Sequence, residues 1–79
     1  MTAEVLKLAK KVRDERDPYA RLELLRQLAE LVDLERARQV VDVIDRDGTH
    51  GAGRRLGVSH QAAAQQRLRA VRRLRKADT

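Results

Sequence analysis

Apolar residues in this chain return at three- and four-residue intervals, which is the period of a helix and not of a strand. Val5, Leu8, Ala9 and Val12 share one stripe, with Lys7, Lys10, Lys11 and Asp14 outside it. That spacing predicts a first amphipathic helix, capped by Thr2 and ending near Arg16. Asp17 and Pro18 start a second helix, because aspartate caps well and proline at the first helical position gives up no needed hydrogen bond. From there Leu22, Leu24, Leu25, Leu28, Ala29, Leu31, Val32, Leu34, Ala37, Val40, Val41, Val43 and Ile44 continue without Gly or Pro to Gly48. One helix of about 30 residues, roughly 45 Å long, is the simplest reading. The competing reading breaks it at Asp33, another good cap, although aspartate inside a helix costs only roughly a few tenths of a kcal/mol.

The second helix is apolar around more than half its circumference, wider than one short neighbour covers. A second chain on the same face gives a self-complementary homodimer interface, expected at Leu22, Leu25, Leu28, Leu31 and Val32. The alternative is a monomer whose C-terminal helices fold back over that surface.

Size sharpens the expectation of a homodimer. At 79 residues the chain is one domain's worth, and its core is thin, with no Phe, no Trp, one Tyr and no Cys. Disulfides and thiolate zinc sites are therefore excluded as stabilisers, which leaves an oligomer. No metal, cofactor or small-molecule ligand is expected, since so small a chain has no room for a ligand pocket. No apolar run approaches the roughly 18 residues of a membrane span, and the N-terminus lacks a signal-peptide pattern, so no membrane partner is expected and the expected location is cytoplasmic, at the nucleoid.

The net charge of +6 points to a polyanion, and its distribution is more telling than its total. Residues 1–47 hold ten Lys and Arg against eleven Asp and Glu, whereas residues 48–79 hold eight against one. An all-α chain with a helical dimerisation region at 1–47 and a basic binding region at 48–79 follows.

Within Asp47 to Lys76, Gly48 ends the long helix, a short helix spans about Thr49 to Leu56, Gly57 makes a sharp turn, and Ser59 caps the next helix. Helix, tight turn, helix is the pattern of a helix-turn-helix, whose second helix enters the major groove of double-stranded DNA. At 100° per residue, Gln61, Gln65, Arg69, Arg72 and Lys76 share one face of that helix, and Ala63, Ala64, Ala70, Val71 and Leu74 the other. Glutamine can bond adenine through two atoms and histidine can meet guanine acceptors, so His60, Gln61 and Gln65 are the candidate base readers. His60 lies off the polar face and serves equally well as a solvent-facing cap residue. Ser59, with the amides at the helix start, is a candidate phosphate contact, and Arg54, Arg55, Arg69, Arg72, Arg73 and Lys76 are candidate phosphate clamps. Arg67 falls on the apolar side, where it either snorkels out to solvent or pairs with an acid such as Asp42 or Asp45 on the long helix.

The string LGVSHQAAAQQR, Leu56 to Arg67, resembles the LGVSxQA core of small bacterial helix-turn-helix proteins, particularly a group common in actinobacteria. In those proteins a helix opened by Asp-Pro precedes the module, as Asp17, Pro18 and Ala20 do here, so the resemblance covers about residues 17–69. It implies DNA binding, as a nucleoid-associated protein or a small transcriptional regulator. The chain departs from the family where Trp and Ile usually stand in the first helix of the module, offering Thr49 and Ala52 with Gly51 and Gly53 nearby. Two glycines cost roughly 1 kcal/mol each against alanine, so that helix is expected to be short, mobile, or ordered on DNA.

Other chemistry is thin. Gly51, Gly53 and Gly57 miss the dinucleotide fingerprint by one residue and follow a helix where a strand is required. Asp45, Asp47 and Gly48 imitate part of a calcium loop, but Val43 stands at its first ligand position. His50 reads as a polar helix end, and no nucleophile has a base beside it, so no enzyme is expected. Besides a dimeric DNA-binding protein, two classes remain: a module docking its basic helix on an acidic partner such as the transcription machinery, and, disfavoured by Arg67, a membrane-surface peptide.

Overall fold

A computed structural model describes residues 3–78 of the chain. It contains three helices, α1 (Ala3–Asp14), α2 (Pro18–Leu56) and α3 (His60–Ala77), and no strand among the described residues. Thr2, the expected cap of α1, lies outside the described residues. α1 stops at Asp14, slightly short of the expected Arg16, although the Glu15 amide still donates to the Lys11 carbonyl at 2.9 Å. The Asp17 carboxylate accepts from the Ala20 amide at 3.0 Å, which is the cap that opens α2 at Pro18.

α2 passes Asp33 without a break, so of the two readings of residues 18–47 the continuous helix is the one observed. Its one interruption is Gly48, at φ 76 and ψ 166, a combination open essentially to glycine alone. Helix resumes at once over 49–56. The next reversal is at Gly57, whose φ of 74 suits the residue that follows a helix end.

The chain divides into two compact units, Met1–Glu35 and Arg36–Thr79. The division falls inside α2, earlier than the charge boundary at Asp47. In the first unit, Val5 and Val12 of α1 are buried and Leu8 is half-buried, while Ala9, on the edge of that stripe, is exposed. Leu8 shares a shallow depression with Gln27, Leu31 and Leu34 of α2. On α2 the leucines separate into two sets: Leu24, Leu28, Leu31 and Leu34 are half-buried, whereas Leu22, Leu25 and Val32 are exposed.

The second unit is centred on Ile44, Ala52 and Ala63, with Val40, Val43 and Val58 packed around them. Small side chains dominate because the backbones approach closely, and this explains how a chain without large rings still has an interior. Residues 36–47 belong to this unit because Ile44 and its valine neighbours cover Ala52 and Ala63. Among the described residues no helix is long and apolar enough to cross a membrane.

Candidate functional site

The turn before α3 is built from backbone hydrogen bonds. The Val58 amide donates to the Gly53 carbonyl at 2.8 Å and the Gly57 amide to the Arg54 carbonyl at 3.3 Å. These paired bonds close a helix end through a left-handed glycine, and they draw Val58 back into the apolar cluster. The closure leaves no space beside Gly53. A Cβ there would lie 2.9 Å from the Val58 carbonyl oxygen and 3.3 Å from that of Ser59. The helix over 49–56 thus forms despite its glycines, and at Gly53 the missing side chain is what permits the approach. Ala52 is buried within the cluster.

Ser59 then caps α3, its hydroxyl oxygen accepting from the Ala62 amide at 3.1 Å. The hydroxyl proton is left to donate elsewhere, and α3 starts with exposed amides at the positive end of its dipole. Ala63 and Ala70 are buried, Val71 and Leu74 half-buried, and these hold α3 in place. Ala64, placed by the wheel on the apolar side, is exposed, because the covered sector is narrower than the apolar one.

On the opposite side Gln61, Gln65, Arg69, Arg72 and Lys76 are all exposed. Arg54 and Arg55, just before the turn, are exposed as well. Arg73 differs: it is half-buried at the margin of the packed side. His60 is exposed but does not stand with the glutamines. Its ring stacks on His50, with centroids 4.1 Å apart and planes 23° from parallel, so the two histidines clasp the segment before the turn to the start of α3. The role of His50 was not apparent from the sequence, because nothing in the ten-residue spacing shows that the turn brings these rings together.

Two of the four acids of this unit, Asp45 and Asp47, are paired with arginines. Arg67 meets Asp45 at 2.7 Å across α3 and α2, so Asp45, and not Asp42, is its partner. That hydrogen bond holds the Asp45 carboxyl below the usual carboxylate range. Arg46 grips Asp47 through two bonds of 2.9 Å, which lowers Asp47 in the same way, with a smaller attraction from Arg55. Cations on the outer side of α3 therefore face few uncompensated carboxylates. Among the described residues no group of three His, Cys, Asp or Glu side chains is placed to hold a metal ion.

No protein-family model, no curated protein and no solved structure matches this chain. Its functional reading therefore comes from the arrangement of its own residues.

Proposed function

We propose that this chain is a double-stranded DNA-binding protein in which residues 49–56, the Gly57 turn and α3 act as a helix-turn-helix. In this reading α3 enters the major groove from Ser59 onward. Gln61 and Gln65 read base edges, and His60, held by His50, sits beside them at the rim. Ser59, Arg54, Arg55, Arg69, Arg72 and Lys76 contact phosphates, with Arg73 near the packed margin as an outer clamp. The observation that carries the reading is the outer side of α3: glutamines at its first turns and cations further along, all exposed, opposite a buried alanine side. A helix that used this side for its own packing would not leave it polar and uncovered.

Titration of the protein into labelled duplex DNA across a salt series tests this. Saturable binding that weakens steeply with salt is expected, since each neutralised phosphate releases counterions. Gln61→Ala with Gln65→Ala should flatten preference among duplexes and spare general affinity, whereas Arg72→Ala should weaken all duplexes alike and make the salt slope shallower by about one. Absence of duplex binding at low salt would overturn the reading and favour an acidic protein partner for the same surface. A genome-wide occupancy map then separates a nucleoid-associated protein, found at very many sites, from a regulator found at few.

A further inference from the structure

The first unit carries more apolar surface than α1 covers. On α2, Leu22, Leu25 and Val32 remain 62%, 42% and 48% exposed, and Ala29 between them is exposed too. Their spacing of three, four and three residues places all four in a sector of about 80° around the helix. That spacing is also the seam of a two-helix coiled coil, where alternate side chains seat between those of a facing helix.

We propose that this stripe seats a second copy of the chain, packed antiparallel about a two-fold axis, with Leu22 of each copy against Val32 of the other and Leu25 against Ala29. A single axis generates both contacts, so the stripe is complementary to itself, as a two-fold interface requires. Charge selects the orientation. Arg21 and Glu35 flank the stripe on one side, and Arg26 and Asp33 on the other. A parallel pair brings opposite flanks together and sets Arg21 beside Arg26 of the second copy, twice over. The antiparallel pair brings like flanks together and sets Arg21 beside Glu35 of the second copy, twice over, which is attractive. Arg26 then approaches its own counterpart, but its charge is already compensated within its helix by Glu23 at 2.7 Å and Glu30 at 3.5 Å. The seam is short, so association is expected on the order of micromolar, toward the weak end of specific interfaces. This inference concerns the first unit alone and does not rest on DNA binding.

Sedimentation equilibrium of the full chain gives the first test, with a monomer–dimer equilibrium expected and only monomer up to about 100 μM overturning the proposal. Arg21→Glu should weaken the dimer at least about tenfold and Arg21→Glu with Glu35→Arg should restore it to within about threefold, helix content being unchanged by circular dichroism. No rescue by the double variant overturns the antiparallel register. The chain has no cysteine, so single introduced thiols report the register directly. L25C mixed with A29C should cross-link between the two different chains, and L25C alone should not. Efficient cross-linking of L25C to itself would show the parallel pair and sink the proposal.

Discussion

Alanine at Gly53 tests the geometry on which the second unit depends, because local propensity and packing predict opposite results. Inside a helix, Gly→Ala is favourable by about 1 kcal/mol, since glycine loses the most backbone freedom on folding. Against that stands a Cβ at 2.9 Å from the Val58 carbonyl oxygen, closer than such atoms approach in folded proteins, with the Ser59 carbonyl at 3.3 Å behind it. Both obstacles are backbone, so neither can swing away. Relief requires the turn to move outward, which stretches the 2.8 Å bond from the Val58 amide to the Gly53 carbonyl and lifts Val58 from its cluster. Overpacking of this kind costs about 1–3 kcal/mol and a weakened hydrogen bond about 1 kcal/mol more. The net expectation for Gly53→Ala is a destabilisation of about 1–3 kcal/mol, or a fall in Tm of roughly 5–20 °C for a domain this small.

Gly51 supplies the control from the same helix. A Cβ there meets only the Asp47 Cβ at 3.6 Å, an ordinary contact. Gly51→Ala should therefore stabilise by about 0.5–1 kcal/mol, raising Tm by a few degrees. Thermal melts by circular dichroism at matched protein concentration read both variants, concentration being fixed because association would shift Tm by itself. If Gly53→Ala melts at or above the wild-type temperature, the close approach at the turn is wrong, and with it the placement of α3.

The remaining predictions concern the turns and the ion pairs. Gly57→Ala meets open space but must hold φ near 74, so it should cost about 1–2 kcal/mol through backbone strain alone and be additive with changes in the first unit, as read by denaturant unfolding. Glu23, bonded by Arg26 and then by Gln27, has its pKa drawn down to about 2. Because that folded value lies below the ordinary carboxylate value, its contribution to stability is present at neutral pH and is lost as pH falls from the ordinary range toward 2. Carboxyl titration by NMR should show the low value and its return to the ordinary range in Arg26→Ala. Asp45 obeys the same sign through Arg67, so Arg67→Met should raise its titration while leaving Asp47, which Arg46 holds, unmoved.

Much of this architecture is legible locally. Asp17 with Pro18, Gly48, Gly57 and Ser59 each act through a cap or a permitted backbone angle, properties of one residue and its neighbours, and each marks a helix boundary in the structure. The outer side of α3 is legible for a related reason, since a helical wheel is enough to gather Gln61, Gln65, Arg69, Arg72 and Lys76. What escapes sequence reading depends on the opposing element. Gly53 looks like a defect until the Val58 carbonyl is placed over it, and the stack of His60 on His50 cannot be foreseen until the turn brings the two rings together. The five residues assigned to a dimer surface divide for the same reason. Leu28 and Leu31 are half-buried while Leu22, Leu25 and Val32 are exposed, and a helix apolar over half its circumference gives no hint of where one neighbour's cover ends.

Each unit's surplus identifies the kind of surface it lacks. Residues 36–79 hold eleven Lys and Arg against four Asp, and two of those four acids are tied to arginines of the same unit. Their interior is closed by isoleucine, alanine, valine and a bare glycine, and although Leu56 and Leu68 stay exposed, the larger surplus of this unit is positive charge. Residues 1–35 are close to electroneutral, with seven Lys and Arg against eight Asp and Glu, and their surplus is leucine and valine left in water. Burying that stripe gains about 25 cal/mol for each Å² removed from solvent, whereas a nucleic acid offers it nothing comparable. The cationic surplus is what the proposed duplex contact would use, and the aliphatic surplus what the proposed second copy would cover. For that reason a variant that separates the copies by reversing Arg21 should leave the affinity of a single α3 for duplex DNA in place, while losing whatever gain comes from two copies binding together.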